Sequence, residues 1–172
     1  LLPDGSREVV PGSGEVGMVA QGGMVPLGYY KDPEKSAKTF KEVDGKRYAF
    51  IGDMATVEAD GTINLLGRGS NCINTGGEKV FPEEVEEALK LHPAVEDALV
   101  FGLEDERFGN RVAGVVSIEK GGTADADEVL EATRKLLASY KLPKELLVVP
   151  VVPRAPNGKA DYKAAKALVA DP

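Results

Sequence analysis

The chain has 172 residues, of which 42% are hydrophobic and 28% are charged. These proportions are typical of one or two globular domains and exclude a disordered chain, and no apolar run reaches the roughly 18 to 20 residues that cross a bilayer. The formal charge of -7, from 28 acidic and 21 basic residues, argues against a nucleic-acid partner because it repels a phosphate backbone.

Cysteine and histidine each occur once, as Cys72 and His92. One cysteine cannot close an internal disulfide, and one histidine forms no cluster with metal-ligand spacing. We therefore predict neither a metal site nor a histidine-based nucleophile, with Cys72 a buried apolar residue and His92 the end of a helix. No signal peptide is visible, so we predict a cytoplasmic location. Peripheral association with a membrane and a homo-oligomer stay open.

Residues 1–67 are rich in glycine and in short β-prone runs. Hairpin signals at Asp44-Gly45 and Asp60-Gly61 separate these runs. The runs are Val16 to Ala20, Tyr48 to Ile51 and Thr62 to Leu66. One short helix is predicted to interrupt this β half, with Asp32 as its N-cap and Pro33 at the first helical position.

After residue 80 the hydrophobic period changes from 2 to 3.6. The pattern predicts, in order, a helix from Pro82 that stops before His92, strands at Val95 to Phe101 and Val112 to Ile118, a helix at Asp125 to Tyr140, a strand at Leu146 to Val152, and a helix at Asp161 to Val169. This order predicts a small three-stranded sheet covered by helices. The glutamates of the first helix, Glu83, Glu84, Glu86 and Glu87, are expected to form a solvated face.

The predicted boundary between the two halves is Gly67 to Ser70, where two glycines flank an arginine. Glycine tolerates large backbone rotations, so this segment is either a hinge or a plain linker. Because the chain opens with Leu1 in a turn-like stretch, we expect it to be a fragment that is inactive alone.

The longest motif runs from Gly67 to Glu86. By its residues alone it is a β-hairpin with a glycine tip that leads into a capped helix. It also resembles the signature of the adenylate-forming (AMP-binding) superfamily, which contains acyl-CoA synthetases, firefly-type luciferases and peptide-synthetase adenylation domains. Two further segments are similar to elements of that family: Pro153 to Lys159 and Tyr48 to Asp53.

The resemblance implies a role for each matching residue. Lys159 would be the adenylation lysine, whose ammonium group offsets the repulsion between a carboxylate and the α-phosphate of ATP. Asp53 would accept hydrogen bonds from the ribose hydroxyls, and Arg68 would approach the ribose and phosphates. Ser70 would be the hinge residue. The turn that would line the CoA tunnel consists of Gly76, Gly77, Glu78 and Lys79.

The chain departs from the family pattern at two positions. Ile51 stands where the family has threonine, so a hydroxyl contact to the nucleotide is lost. Ser70 stands where the family has aspartate or lysine, and serine cannot make the same ionic contacts. A surface lysine, a Gly-Asp turn and a tight glycine turn are the corresponding structural alternatives for Lys159, Asp53 and Gly76.

The resemblance implies an α+β fold: residues 1–67 end a large amino-terminal domain with a β-rich, distorted-barrel subdomain, and residues 68–172 form a small α/β lid domain. The activity implied is that of an acyl-CoA synthetase, in which the small domain rotates between adenylation and thioester formation. Its cofactors and partners would be ATP/AMP, CoA, a carboxylic acid and the missing amino-terminal domain, with Mg²⁺ held by that upstream domain and the phosphates. The alternatives are an adenylation domain that loads a carrier protein and a non-catalytic interaction module.

Overall fold

The computed structural model describes residues 1–170, which divide into two compact units, residues 1–70 and 71–170. The predicted domain boundary after residue 67 stays a prediction. In chain order the elements are β1 (Gly17–Gln21), α1 (Pro33–Thr39), β2 (Phe40–Val43), β3 (Lys46–Val57), β4 (Ile63–Arg68), a 3-10 turn (Gly69–Asn71), β5 (Ile73–Thr75), β6 (Glu78–Val80), α2 (Pro82–Lys90), β7 (Val95–Asp105), β8 (Gly109–Ile118), α3 (Ala126–Thr133), β9 (Glu145–Val148) and α4 (Tyr162–Ala170). None of the helices in this described part is long and apolar enough to cross a membrane.

The first unit is built around β3. Ala49 of β3 faces both β1 and β2, and Ala55 faces both β1 and β4, so β2 and β4 share the edge opposite to β1. All pairs are antiparallel, and the sheet is open rather than a closed barrel within residues 1–70. The predicted helix is confirmed, since the carboxylate of Asp32 accepts the backbone N–H of Lys35 at 2.9 Å and Pro33 occupies the first turn.

The second unit begins with the hairpin β5–β6, followed by α2. Its main sheet has the order β7-β8-β9, with β7 and β8 antiparallel and β9 parallel to β8. A parallel neighbour requires a crossover connection, and α3 provides it between β8 and β9. The predicted three-stranded sheet covered by helices, and with it the α+β class, is confirmed.

The core of the second unit consists of two apolar clusters. Successive residues of a strand point to opposite faces, and β7 follows this rule: Ala98 and Val100 belong to one cluster, whereas Leu99 and Phe101 belong to the other. The first cluster includes Ile73 and Val80 of the hairpin, Val85 and Leu89 of α2, and Val129 of α3. The second includes Val149, Val152 and the α4 residues Ala165 and Val169.

Two predicted elements are longer than the observed ones. The helix predicted to reach Tyr140 ends at Thr133. Of the two leucines beyond it that were expected to face inward, Leu137 packs against the first cluster but Leu136 is 53% exposed, so less apolar burial stabilises a longer helix. The hydroxyl of Thr133 instead donates to the carbonyl of Val129 at 2.8 Å. The last strand ends at Val148, close to Pro150, which has no N–H to donate to a ladder.

Candidate active site

The Asp53 and Arg68 side chains, both predicted to meet the nucleotide, lie together in the first unit. The two residues are register partners across β3 and β4, and Nε of Arg68 lies 3.2 Å from Oδ1 of Asp53. The side chain of Asp53 is 31% exposed and that of Arg68 is 63% exposed. A carboxylate has two oxygens that accept hydrogen bonds, so this pairing with Arg68 is compatible with further donors.

A β-bulge lies beside this pair. Met54 pairs with Gly67 and Ala55 with Leu65, so Leu66 is the extra residue of β4. Bulges bend a strand and re-aim the neighbouring side chains, and they are frequent next to active sites. The nearby Ile51 is 46% exposed. A hydroxyl-bearing residue at this position would therefore present its hydroxyl to solvent or to a ligand.

Ser70 lies in the 3-10 turn Gly69–Asn71 and is exposed. The last residue of that turn, Asn71, belongs to the second unit, where its side-chain amide donates to Oε1 of Glu83 at 3.3 Å and to the hydroxyl of Tyr162 at 3.4 Å. The last residue of the turn is therefore hydrogen-bonded to side chains of α2 and α4. Sequence reasoning missed Asn71 and Tyr162, because no local pattern pairs residues 91 positions apart.

The glycine turn forms the tip of the β5–β6 hairpin, as predicted from the residues. Gly76 and Gly77 have φ values of +59° and +91°, in the left-handed region that side chains avoid. The N–H of Gly76 donates to the carbonyl of Phe108 at 3.0 Å, and a Cβ added at Gly76 would lie 3.2 Å from the Phe108 ring. Gly77 has open space around it. Glu78 and Lys79 follow in β6 and are exposed.

Lys159 lies on an exposed loop between β9 and α4. Its own N–H donates to Oδ1 of Asn157 at 3.1 Å, and its carbonyl accepts the N–H of Ala155 at 2.8 Å. The loop is thus closed by its own hydrogen bonds while the ammonium group faces outwards. This arrangement can present a positive charge to an anion without moving the backbone.

The predicted solvated face of α2 is wrong for three of its four glutamates. Glu87 is exposed, but Glu83, Glu84 and Glu86 are half-buried. Both oxygens of Glu84 accept from the Lys141 ammonium, at 2.6 and 2.8 Å. The spacing accounts for Glu86, which at 3.6 residues per turn lies beside Pro82 and Leu89 at the edge of the buried face of α2.

Burial acts on two ionisable groups next to this helix. It raises the pKa of Glu86 to about 7, although the N–H of Val100 donates to its carboxylate. It also raises the pKa of Tyr162 to about 12, with a further contribution from Glu86 and Glu83.

The start of α2 also differs from the prediction of a capped helix. Its N-cap residue is Phe81, which makes no side-chain cap bond.

Cys72 and His92 have structural positions. Burial raises the pKa of the half-buried Cys72 thiol. The N–H of His92 donates to the carbonyl of Leu89 at the end of α2, and its Nδ1 accepts the N–H of Ala94 at 3.2 Å. Within residues 1–170, no three His, Cys, Asp or Glu side chains are grouped so that they could hold a metal ion.

Comparison with known proteins matches these features to one family. Residues 84–159 match the profile of the AMP-binding enzyme C-terminal domain. A crystal structure of apo MatB from Rhodopseudomonas palustris is similar with a TM-score of 0.75 and 31% identity, over 95% of this chain and 34% of that one.

Curated relatives match nearly the whole chain. The 3-oxocholest-4-en-26-oate–CoA ligase of Rhodococcus rhodochrous is 54% identical over 166 residues, 96% of this chain and 30% of the relative. A medium/long-chain-fatty-acid–CoA/3-oxocholest-4-en-26-oate–CoA ligase of Mycolicibacterium smegmatis is 52% identical over the same shares of both chains. Triostin synthetase I of Streptomyces triostinicus is 38% identical over 97% of this chain and 31% of its own length.

The chain therefore spans about 30% of the length of these relatives. Within its second unit, residues 84–159 match the family's carboxyl-terminal domain, and the match to the relatives continues through its first unit. This chain belongs to the adenylate-forming, AMP-binding enzyme superfamily.

Proposed function

We propose that the chain supplies the carboxyl-terminal machinery of an ATP-dependent acyl-CoA synthetase. Such an enzyme joins a carboxylic acid, here a fatty or similarly apolar acid, to AMP with release of pyrophosphate, and then transfers the acyl group to CoA with release of AMP. The observation that carries the proposal is the outward-facing Lys159 on a hydrogen-bonded loop, in a chain 54% identical to a matching region of a CoA ligase.

In the adenylation step, Lys159 would stabilise the transition state. The acid carboxylate attacks the α-phosphorus of ATP, and the bond from that phosphorus to the pyrophosphate oxygen breaks. Negative charge accumulates where the two anions meet, and a positioned ammonium group offsets it most at that point. Because the loop backbone is already ordered, little backbone entropy is lost when the lysine engages the phosphate, and the entropy cost is mainly that of the lysine side chain.

Asp53 and Arg68 would bind the nucleotide from the first unit. The half-buried carboxylate accepts hydrogen bonds well from two ribose hydroxyls, and bonds to a charged acceptor are about twice as strong as neutral ones. The ion pair with Arg68 holds that carboxylate in one orientation. The guanidinium of Arg68 is largely exposed and can contact the phosphates.

In the thioester step, the glycine turn would approach the pantetheine arm of CoA. A Cβ is missing at Gly77 and the space beside it is open, so a thin chain can pass close to the backbone. The exposed Lys79 would meet a CoA phosphate. Mg²⁺ would neutralise the ATP phosphates, and we assign its binding to those phosphates and the upstream domain.

Ser70 is the proposed hinge between the two steps. It is exposed in a short 3-10 turn that directly follows β4. Short 3-10 turns are frequent connectors between elements, and the two glycines at Gly67 and Gly69 tolerate large backbone rotations. We retain the predicted domains, residues 1–67 and 68–172, as part of this proposal.

The alternative acceptor is the phosphopantetheine arm of a carrier protein. Triostin synthetase I is 38% identical to this chain, whereas the two CoA ligases are 54% and 52% identical, which favours CoA. Supplying acyl-adenylate with either CoA or a phosphopantetheinylated carrier separates the two. A non-catalytic module would give no product with either acceptor.

The experiment uses a chimera in which this chain replaces the matching 166-residue region of the Rhodococcus rhodochrous ligase. Adenylation is followed by pyrophosphate release with 3-oxocholest-4-en-26-oate, and thioester formation by AMP release from supplied acyl-adenylate and CoA. We expect the chimera to perform both steps and the 172-residue chain alone to perform neither.

Two lysine variants assign the role of Lys159. Lys159→Ala should reduce adenylation by at least about 100-fold, as for loss of a transition-state donor, and leave thioester formation within a few-fold. Lys163→Ala, which removes an exposed lysine from α4, is the matched control and should change neither step. Equal losses in both steps for Lys159→Ala would overturn the assignment.

A further inference from the structure

The loop that carries Lys159 is closed at its base by Arg154. Arg154 and Ala160 pair as an antiparallel bridge across the loop. Next to this bridge, the N–H of Asp161 donates to the carbonyl of Pro153 at 3.2 Å. The backbone of Lys159, one residue before Ala160, is therefore held at a fixed position relative to the backbone of Arg154.

The tip of the loop is ordered as well. The N–H of Gly158 donates to the carbonyl of Ala155 at 2.8 Å, and the side chain of Asn157 accepts the N–H of Lys159 at 3.1 Å. With both base and tip bonded internally, the loop behaves as one piece. The direction in which Lys159 points then depends on how the base is attached to the rest of the unit.

Apolar packing and one ion pair attach the base to the sheet. Val152, 2% exposed, and the partly buried Ala160 pack into the cluster under α4. The guanidinium of Arg154 forms a two-bond fork with Asp97 at the start of β7, from Nε to Oδ2 at 3.0 Å and from Nη2 to Oδ1 at 2.7 Å. Nη2 also lies 3.5 Å from the carbonyl of Ala98.

The fork fixes the orientation of the loop base relative to β7, which apolar packing alone does not define. Two parallel hydrogen bonds between planar groups define the orientation of both, whereas a lysine ammonium would give a single point contact. The carboxylate is itself held, because Oδ1 of Asp97 accepts the N–H of Ala98 at 2.8 Å. The pKa of Arg154 is raised above its ordinary value, first by the bond to Asp97 and further by Glu86 on α2 and Tyr162 on α4.

We propose that Arg154, through its fork with Asp97, is the positioning residue that aims Lys159 at the reacting phosphate. Arg154 need not touch substrate for this role, since the loop transmits its orientation to Lys159. The inference rests on the proposed function of Lys159. A displacement of about 1 Å at a reacting group can lower a rate by about 100-fold, so the orientation of this loop matters for adenylation and not for the thioester step.

The first test compares Arg154→Lys with Arg111→Lys in the chimera described above. Arg111 pairs with Glu145 on the same sheet, and its side chain is 35% exposed, the same fraction as that of Arg154, so the control makes the same substitution in an ion pair away from the loop. We expect Arg154→Lys to lower kcat for adenylation by 10- to 100-fold, with the KM for ATP and the thioester step nearly unchanged. An equal effect of the two variants on adenylation would overturn the proposal.

The second test needs no activity. Amide hydrogen exchange is measured on the 172-residue chain for Ala155, Gly158, Lys159 and Asp161, whose N–H groups are bonded within the loop. Arg154→Lys and Asp97→Asn should each accelerate exchange in the loop by at least 10-fold, and Arg111→Lys should not. Unchanged exchange in the loop would overturn the proposal, whereas a wild-type chimera without adenylation would instead overturn the proposed function.

Discussion

The backbone N–H of Val100 donates a 2.8 Å hydrogen bond to Oε1 of Glu86. This bond joins α2 to β7 through a carboxyl group whose burial raises its pKa to about 7. Glu83, Arg154 and Lys90 are the charged groups that act on it, Glu83 raising the pKa and the two basic residues lowering it. Burial outweighs the Val100 bond and both cations, so the protonated form of Glu86 is favoured by folding.

The stability of the chain should therefore fall as pH rises from 5 to 8. The folded-state pKa of about 7 lies above the ordinary value of 4.5, so the folded state binds more protons in this window and the contribution of Glu86 is lost as pH rises through 7. The total is on the order of 3 kcal/mol at 1.36 kcal/mol per pKa unit. Denaturant unfolding at several pH values should show a steeper fall for wild type than for Glu86→Gln. Glu87→Gln, on the exposed face, is the control, and parallel curves for wild type and Glu86→Gln would contradict the prediction.

Asp53→Asn should weaken nucleotide use without harming the fold. The exposed pair with Arg68 contributes only about 0 to 1 kcal/mol to stability, whereas hydrogen bonds to a charged acceptor contribute about 1.5 to 3 kcal/mol each. The KM for ATP of the chimera should therefore rise by roughly 10- to 100-fold, with an unchanged Tm. Glu58→Gln, an exposed carboxylate just beyond β3, serves as the control. An unaltered KM for ATP in Asp53→Asn would remove Asp53 from the nucleotide site.

Gly77→Ala and Gly121→Ala form a matched pair for the thioester step. Both glycines have a φ of +91° and open space around them, so alanine should destabilise each position by about 1 to 2 kcal/mol through backbone strain. Only Gly77→Ala should slow thioester formation from supplied acyl-adenylate. If the two variants lose thioester activity equally, the loss reflects strain and the glycine turn has no role in CoA binding.

Lys141 and Glu84 should contribute to the stability of the second unit. Their side chains are 20% and 25% exposed, and the two-bond contact joins α2 to the segment after α3. Lys141→Met leaves a half-buried carboxylate without this partner and should lower the free energy of unfolding by about 1 to 3 kcal/mol. Lys135→Met, at an exposed position, should change it by less than about 0.5 kcal/mol. The combined change Lys141→Met with Glu84→Met should recover part of the loss, which a denaturant titration measures.

Local signals in the sequence predicted most of the elements. Asp32 before Pro33, the Asp-Gly turns and the apolar spacing of Val85 and Leu89 each act within a few residues, and the corresponding helices and hairpins are present. The helix after Asp125 was predicted too long because apolar spacing alone does not show whether another element buries Leu136. Tertiary burial decided that point, and Leu136 is exposed.

The residues around the candidate site were harder to predict, because they meet over long separations. Arg154 and Asp97 are 57 positions apart, as are Lys141 and Glu84. Neither pair has a local pattern, and the glutamates of α2 were therefore assigned to solvent. Glu86 had one usable signal, its position next to Leu89 at the edge of the packed face of the helix.

Residues of β7 alternate between two apolar clusters, so the segments that pack on each cluster can be altered separately. The hairpin that carries Gly77 packs with one cluster, and the loop that carries Lys159 packs with the other. Substitutions in the β5–β6 hairpin, where we propose that CoA binds, should leave the loop of Lys159 undisturbed, because the backbone of the β7-β8-β9 sheet lies between the two clusters. With the roles proposed for Gly77 and Lys159, acceptor preference should therefore be open to redesign independently of adenylation.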